Sequence, residues 1–156
     1  MKYLLIALTF SFFSLPSEIG WRKLSWNDFK GTPDGHGTSM AFTKLDMQIE
    51  RKGDRFYFKP VASFIPQKSF TTTKSDLALK HEQLHFDITE LYARKITSAI
   101  KSLQGCKYEE YKKAFMIYDS LCILWNKEQD RYDLETNHSL NGEKQCEWES
   151  KINKQL

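Results

Sequence analysis

From residue 75 onward the apolar positions recur at intervals of three and four. At 100° per residue counted from His81, Leu77, Ala78, Ile88, Tyr92, Ile96, Ala99 and Leu103 gather on one stripe, and Gln83, Asp87, Glu90, Arg94 and Lys101 gather opposite it. The pattern predicts one amphipathic helix over residues 75–103, with Ser75 as N-cap, Asp76 complementing the helix dipole and Gly105 as the C-terminal cap. Glu90 and Arg94 are spaced as an i,i+4 ion pair. A second stripe of Tyr108, Tyr111, Phe115, Tyr118, Cys122, Trp125 and Tyr132 predicts a helix from about residue 108 to 134 that packs along the first. A short third helix over about residues 143–153 would turn Trp148 and Ile152 inward. Upstream the period changes to two. Residues 39–52 and 55–64 alternate on either side of Gly53-Asp54 and read as a β-hairpin. Pro60 and Pro66 push its second strand toward an edge, since proline has no N–H for a ladder, and an open edge can accept an extended peptide. Residues 21–29 alternate large and polar side chains before a Gly/Pro-rich loop over residues 30–37.

The fold class expected is therefore α+β: a small antiparallel sheet packed on two long antiparallel helices, with a short C-terminal helix. Residues 1–17 stand apart. Lys2 is a short basic start, the run from 4 to 13 is apolar, and Ser14-Leu15-Pro16-Ser17 forms a cleavage region, which together read as a signal peptide too short to span a bilayer. Residues 18–156 make one domain with one core, undivided by repeats or linkers. Without Lys2, 22 basic residues face 20 acidic ones, and this near-neutral balance carries no nucleic-acid footprint. An exported, periplasmic or extracellular monomer is expected, with no membrane span once the leader is removed. Three cysteines, Cys106, Cys122 and Cys146, allow at most one internal disulfide in an oxidising compartment. Cys122 lies on an apolar stripe, which leaves Cys106 with Cys146 as the favoured pairing.

The chemistry sits in the first helix. His81-Glu82-Gln83-Leu84-His85 places two imidazoles one turn apart on one face, where both can reach a single metal ion, with Glu82 projecting beside it. Both histidines lie inside the apolar stripe. Burying such groups without a partner is costly, and a bound cation supplies one. A hydrolytic zinc needs a third protein ligand and an open position for water. Glu90 points away on an unbroken helix. Glu109 and Glu110 lie too far off, since the turn after the first helix is ~30 Å from His85 at ~1.5 Å per residue. In an antiparallel helix pair turning near Cys106, the level of the histidines returns near residues 127–131, so candidates lie there or beyond. His138 is the preferred third ligand, imidazole being a good zinc donor, and Asp133 is the runner-up; a carboxylate that is not a ligand can orient an imidazole. Tyr132 and Tyr92 are candidates to donate to a developing oxyanion, beside the ordinary role of core aromatics. His36, in the glycine-rich loop, is an outside candidate ligand.

Three stretches carry a resemblance: Ser25-Trp26-Asn27-Asp28-Phe29-Lys30-Gly31, then Leu79-Lys80-His81-Glu82-Gln83-Leu84-His85-Phe86-Asp87-Ile88, then Tyr132-Asp133-Leu134-Glu135-Thr136-Asn137-His138. Together they resemble a bacterial domain-of-unknown-function family described as predicted secreted zinc-dependent proteases. The likeness implies a zincin-like site in which His81 and His85 are ligands, Glu82 is the catalytic base and the late histidine corresponds to His138. The sequence departs from that pattern at Leu84 and Ser139, where glycine is usual. Leu84 leaves chelation undisturbed, whereas Ser139 bears on the geometry around His138. The functional expectation is a secreted zinc metallopeptidase acting on a peptide or protein substrate. Its rivals are a non-catalytic metal-containing module that binds a peptide or envelope partner, and a metal hydrolase of non-peptide amides.

Overall fold

A computed structural model describes residues 18–33, 35 and 37–156. The leader expected over 1–17 and the candidate His36 fall outside these residues. In chain order the elements are strands β1 (Ile19–Gly20), β2 (Ser39–Met40), β3 (Thr43–Lys52), β4 (Arg55–Phe64) and β5 (Phe70–Thr71), followed by helices α1 (Asp76–Ala99), α2 (Tyr108–Thr136) and α3 (Gly142–Asn153). The architecture is mixed α+β, with small antiparallel sheets and three helices, two of them long, as the periodicities predict.

β3 and β4 form the expected hairpin, in register from Thr43↔Phe64 to Lys52↔Arg55. Gly53 takes φ +62° at the first loop position, a conformation glycine adopts at little steric cost in a two-residue turn. Alternation buries Leu45 and Met47 with Phe58, Ala62 and Phe64 on the face toward α1, while Lys44 and Asp46 pair on the other side at 2.8 Å. β2 pairs with β5 in a separate two-stranded sheet.

The edge expectation for β4 is corrected. β4 is the middle strand of the order β1-β4-β3. Its second flank is sealed piecemeal: β1 covers only Ser63 and Phe64, Phe56 exchanges bonds with Gly105 and Cys106, and the Gln104 amide brackets the Phe58 backbone at 2.9 and 2.8 Å. Phe56, Phe58 and, by alternation, Pro60 therefore turn their backbone groups to this flank, so proline costs the β3 ladder nothing.

α1 is the central element. The sheet covers one side and α2 and α3 the other, so eleven of its residues are buried, including Phe86, Ile88 and Ile96. Leu77, expected on the stripe, is exposed in the first turn, and Ala99 is exposed in the last. Ser75 caps the helix through the Ala78 N–H, and Glu90 and Arg94 pair at 2.8 Å. The helix stops four residues sooner than the periodicity predicts. Ile100, fully buried, leaves helical geometry at φ −97°, ψ 8°, and a 3-10 turn over Lys101–Leu103 leads to Gly105 at φ +71°. That left-handed glycine lets the chain turn back to Phe56 before α2 starts.

The contacts Thr89 with Trp125, His85 with Gln129 and His81 with Asp133 run in opposite senses along the two long helices, which are thus antiparallel. Tyr108, at the start of the aromatic stripe, is largely exposed but stacks on Tyr111 with ring centroids 6.0 Å apart. The favoured disulfide is not formed: all three cysteines are free thiols, with Cys106 buried and Cys146 exposed. Cys106 precedes α2 and Cys146 follows it, and a 29-residue helix separates its ends by ~43 Å. No helix among the described residues is long and apolar enough to cross a membrane.

Candidate metal centre

His81 and His85 project from α1 toward α2 with their rings nearly perpendicular, centroids 4.8 Å apart. Their Nε2 atoms stand 3.2 Å from one another. Each also lies 3.0 Å from the same oxygen, Oδ1 of Asp133 on α2. Three donor atoms from two helices thus converge on one point.

The far side of each ring determines what that convergence means. His85 Nδ1 lies 2.6 Å from Gln129 Oε1. The Gln129 amide is oriented by its own N–H groups, which donate to the His85 carbonyl at 2.9 Å and to Thr89 Oγ1 at 3.1 Å. Its oxygen therefore faces the ring, and His85 carries its proton on Nδ1. The same logic applies to His81. Gln145 Nε2 donates to Glu149 at 3.0 Å and Tyr132 donates its hydroxyl to Gln145 Oε1 at 2.6 Å, so the amide oxygen also faces His81 Nδ1, 3.3 Å away. With Nδ1 engaged on both rings, an Nε2 that carries no proton is a lone pair free to ligate a metal. A bound cation, or a proton held on one of the rings, reconciles these groups at this spacing.

The donor set fits a metal ion. Tetrahedral coordination with bonds of ~2.0–2.1 Å separates ligand atoms by ~3.3 Å, close to the 3.0 and 3.2 Å observed. Two imidazoles and a carboxylate suit first-row divalent metals, and the His81–His85–Asp133 cluster can hold one. The supporting glutamines hold the rings in the coordinating tautomer. Without a metal the same contacts perturb titration. Burial works against charge on both partners, but hydrogen bonding and mutual attraction prevail, holding Asp133 well below the usual carboxylate range and His85 above the ordinary imidazole value.

Glu82 is buried on the next face of α1. Ser39 Oγ donates to its Oε1 at 2.8 Å and the Ala41 N–H to its Oε2 at 2.6 Å. The cluster and Glu82 open into a cleft of about 940 Å³, walled by residues 37–43 on one side and by α2 and the turn after it on the other.

His138 lies at the rim of this cleft, 77% exposed, with Nδ1 3.7 Å from Asp133 Oδ1 and outside the three-atom convergence. Asp133, the runner-up, is inside it. The difference arises at the end of α2. The helix runs on to Thr136, so Asp133 is one turn after Gln129 on the inner face, whereas His138 follows the terminus. There Asn137, His138 and Ser139 all take positive φ, at 48°, 50° and 74°. Three successive left-handed residues without a glycine are a local strain, and Ser139 is the position where the resembled pattern has glycine. Tyr132 is fully buried behind the rings, stacked on His81 at 4.6 Å, with its hydroxyl turned to Gln145 and not into the cleft. Tyr92 is a buried core residue. Gln129 and Gln145 were not singled out from the sequence. The four-residue spacing of Gln129 and Asp133, matching that of His81 and His85 on the facing helix, is the signal that could have found the first.

Fold and site together define a mixed α+β domain built around a candidate His-His-Asp metal centre. The family model described as bacterial protein of unknown function (DUF922) matches residues 21–139, which include every residue of the cluster, and the chain belongs to that family. No curated protein and no solved structure matches the chain.

Proposed function

We propose that the chain is an exported, monomeric zinc metallopeptidase with a zincin-like site, cleaving peptide or protein substrates. The observation that carries this reading is the convergence of His81 Nε2, His85 Nε2 and Asp133 Oδ1 at 3.0–3.2 Å beside the buried carboxylate of Glu82. His81, His85 and Asp133 would hold the zinc, with Gln145 and Gln129 keeping both rings oriented. Zinc, when bound, supplies Lewis-acid polarisation of a substrate carbonyl and acidifies water toward pKa ~7. Glu82 accepts the proton of the attacking water and returns it to the leaving amine. Its orientation is fixed by Ser39 and the Ala41 N–H, each of which occupies one lone pair of one carboxylate oxygen. Export would follow from the leader read over residues 1–17.

The decisive comparison is wild type against Glu82→Gln and His81→Ala. Glu82→Gln is expected to bind stoichiometric zinc and hydrolyse nothing, and His81→Ala to lose the metal. Equal turnover by wild type and Glu82→Gln rejects the mechanism. Wild type that takes up no metal after chelation and reconstitution rejects the site.

One observation favours a second reading, the non-catalytic metal-containing module: both oxygens of Glu82 are engaged by the cleft wall. A metal-loaded structure with a fourth protein ligand, leaving no position for water, would select it.

A further inference from the structure

Charge is distributed unevenly around the cleft. Its charged lining is Glu82, Asp130 and Asp133, and none of the described residues lining it is Lys or Arg, in a chain with 23 basic and 20 acidic residues. Two of these carboxylates are committed, Glu82 to the wall and Asp133 to the histidines. Asp130 is not. It is exposed, one helical turn before Asp133, and among the described residues no cation pairs with it. Its neighbours on α2 differ in this respect: Glu128 pairs with Lys151 at 2.6 Å and Arg131 with Glu135 at 2.7 Å. When a dication occupies the cluster it offsets the charges of Glu82 and Asp133, and Asp130 remains as the uncompensated charge on the cleft. The rest of the wall includes the apolar side chains Met40, Phe42, Trp125 and Leu140.

We infer that Asp130 is a specificity-determining residue: the cleft takes an extended, largely apolar peptide segment that carries one Lys or Arg side chain beside the bond held at the cluster, and it disfavours Asp or Glu there. Residues three apart on a helix place their Cβ atoms ~5–6 Å apart. An extended chain advances ~3.3 Å per residue. The cationic side chain therefore belongs one or two residues from that bond. This inference rests on reading the cleft as a peptide site.

The test uses ten-residue Ala/Leu peptides in which a single Lys, or a single Glu, is stepped through the sequence. Zinc-loaded wild type is expected to cleave the best Lys peptide about fivefold faster than its Glu counterpart at low salt, the scale of one exposed ion pair, and the preference should shrink as salt is added. Asp130→Asn should abolish the preference and Asp130→Lys invert it, with far-UV circular dichroism checking that both variants fold. Binding of fluorescently labelled peptides to zinc-loaded Glu82→Gln should follow the same order, and a Glu82→Gln, Asp130→Lys double variant should reverse it. Peptides that bind in this order while wild type cleaves none of them would sink the peptidase reading and leave the inference standing. Cleavage with a Lys/Glu ratio unmoved by Asp130→Lys would sink the inference and leave the peptidase. Neither binding nor cleavage of any peptide would overturn both.

Discussion

Gln129 offers the cleanest separation of metal support from packing. Gln129→Met keeps the length and volume of the side chain and removes its polar atoms. Three hydrogen bonds are lost: from His85 Nδ1–H, to the His85 carbonyl and to Thr89 Oγ1. At ~0.5–1.5 kcal/mol net each, they set a ceiling of ~4 kcal/mol. Two of the partners are not orphaned, because Thr89 Oγ1 donates to the same carbonyl at 2.8 Å and accepts from Trp125 at 3.2 Å. The apoprotein is therefore expected to lose about 2 kcal/mol, measured by urea unfolding after chelation. Zinc affinity is a separate quantity. With the Nδ1 acceptor gone, His85 can adopt the other tautomer and rotate, and loss of such support weakens metal binding by ~10–100-fold, or ~1.4–2.7 kcal/mol. Competition against a chromophoric chelator reads this directly. Gln129→Glu retains an acceptor and should recover most of the affinity. Unchanged zinc affinity in Gln129→Met, alongside a 2 kcal/mol loss of stability, would refute the tautomer argument and reduce Gln129 to a core residue.

Three further outcomes are expected. Asp133→Ala should weaken zinc binding by more than 100-fold and His138→Ala, whose ring is 77% exposed, by less than tenfold; the reverse order would move the third ligand to His138. The rise in melting temperature produced by zinc should grow as pH is raised from about 6 to 8. His85 stands above its ordinary 6.5 in the metal-free fold, so its contribution to apoprotein stability is complete below pH 6.5 and fades as pH passes through the raised value. That of Asp133, depressed below 3.8, stays constant across this window. A pH-independent shift would contradict the assignment. Ser39→Ala removes one of two bonds that orient Glu82 and should lower kcat several-fold with metal content unchanged, whereas an unaltered kcat would show that the wall does not place the carboxylate.

Local periodicity made most of the architecture legible. The hairpin follows from alternation around Gly53-Asp54, and α2 and α3 begin within a residue of where their stripes predict. The His81–His85 pair was legible because chelation needs only helical spacing within one element. The third donor was not, because it depends on where α2 ends. Ending the helix near 134 puts Asp133 in the fraying last turn and leaves His138 free to fold back over the site, while its continuation to Thr136 fixes Asp133 inward and sends His138 past a left-handed terminus. The glutamines were missed for a related reason: an amide gains meaning only from the groups it faces, and Gln145 meets His81 from 64 residues away. Pro60 misled because a missing N–H was equated with a missing neighbour strand, whereas the loop at residues 104–106 occupies that flank beside it.

That flank bears on strand-to-strand association. A β-strand with a free row of amides templates the addition of other chains. Here the row is broken by a loop, a side-chain amide, an imino acid and a two-residue strand in succession, while on the opposite border of the hairpin the Tyr118 hydroxyl occupies the Leu45 carbonyl at 2.9 Å. Replacing Pro60 with valine would restore a donor in the middle of the row, and concentrated samples should then form β-rich aggregates sooner than wild type while the folded chain keeps its stability.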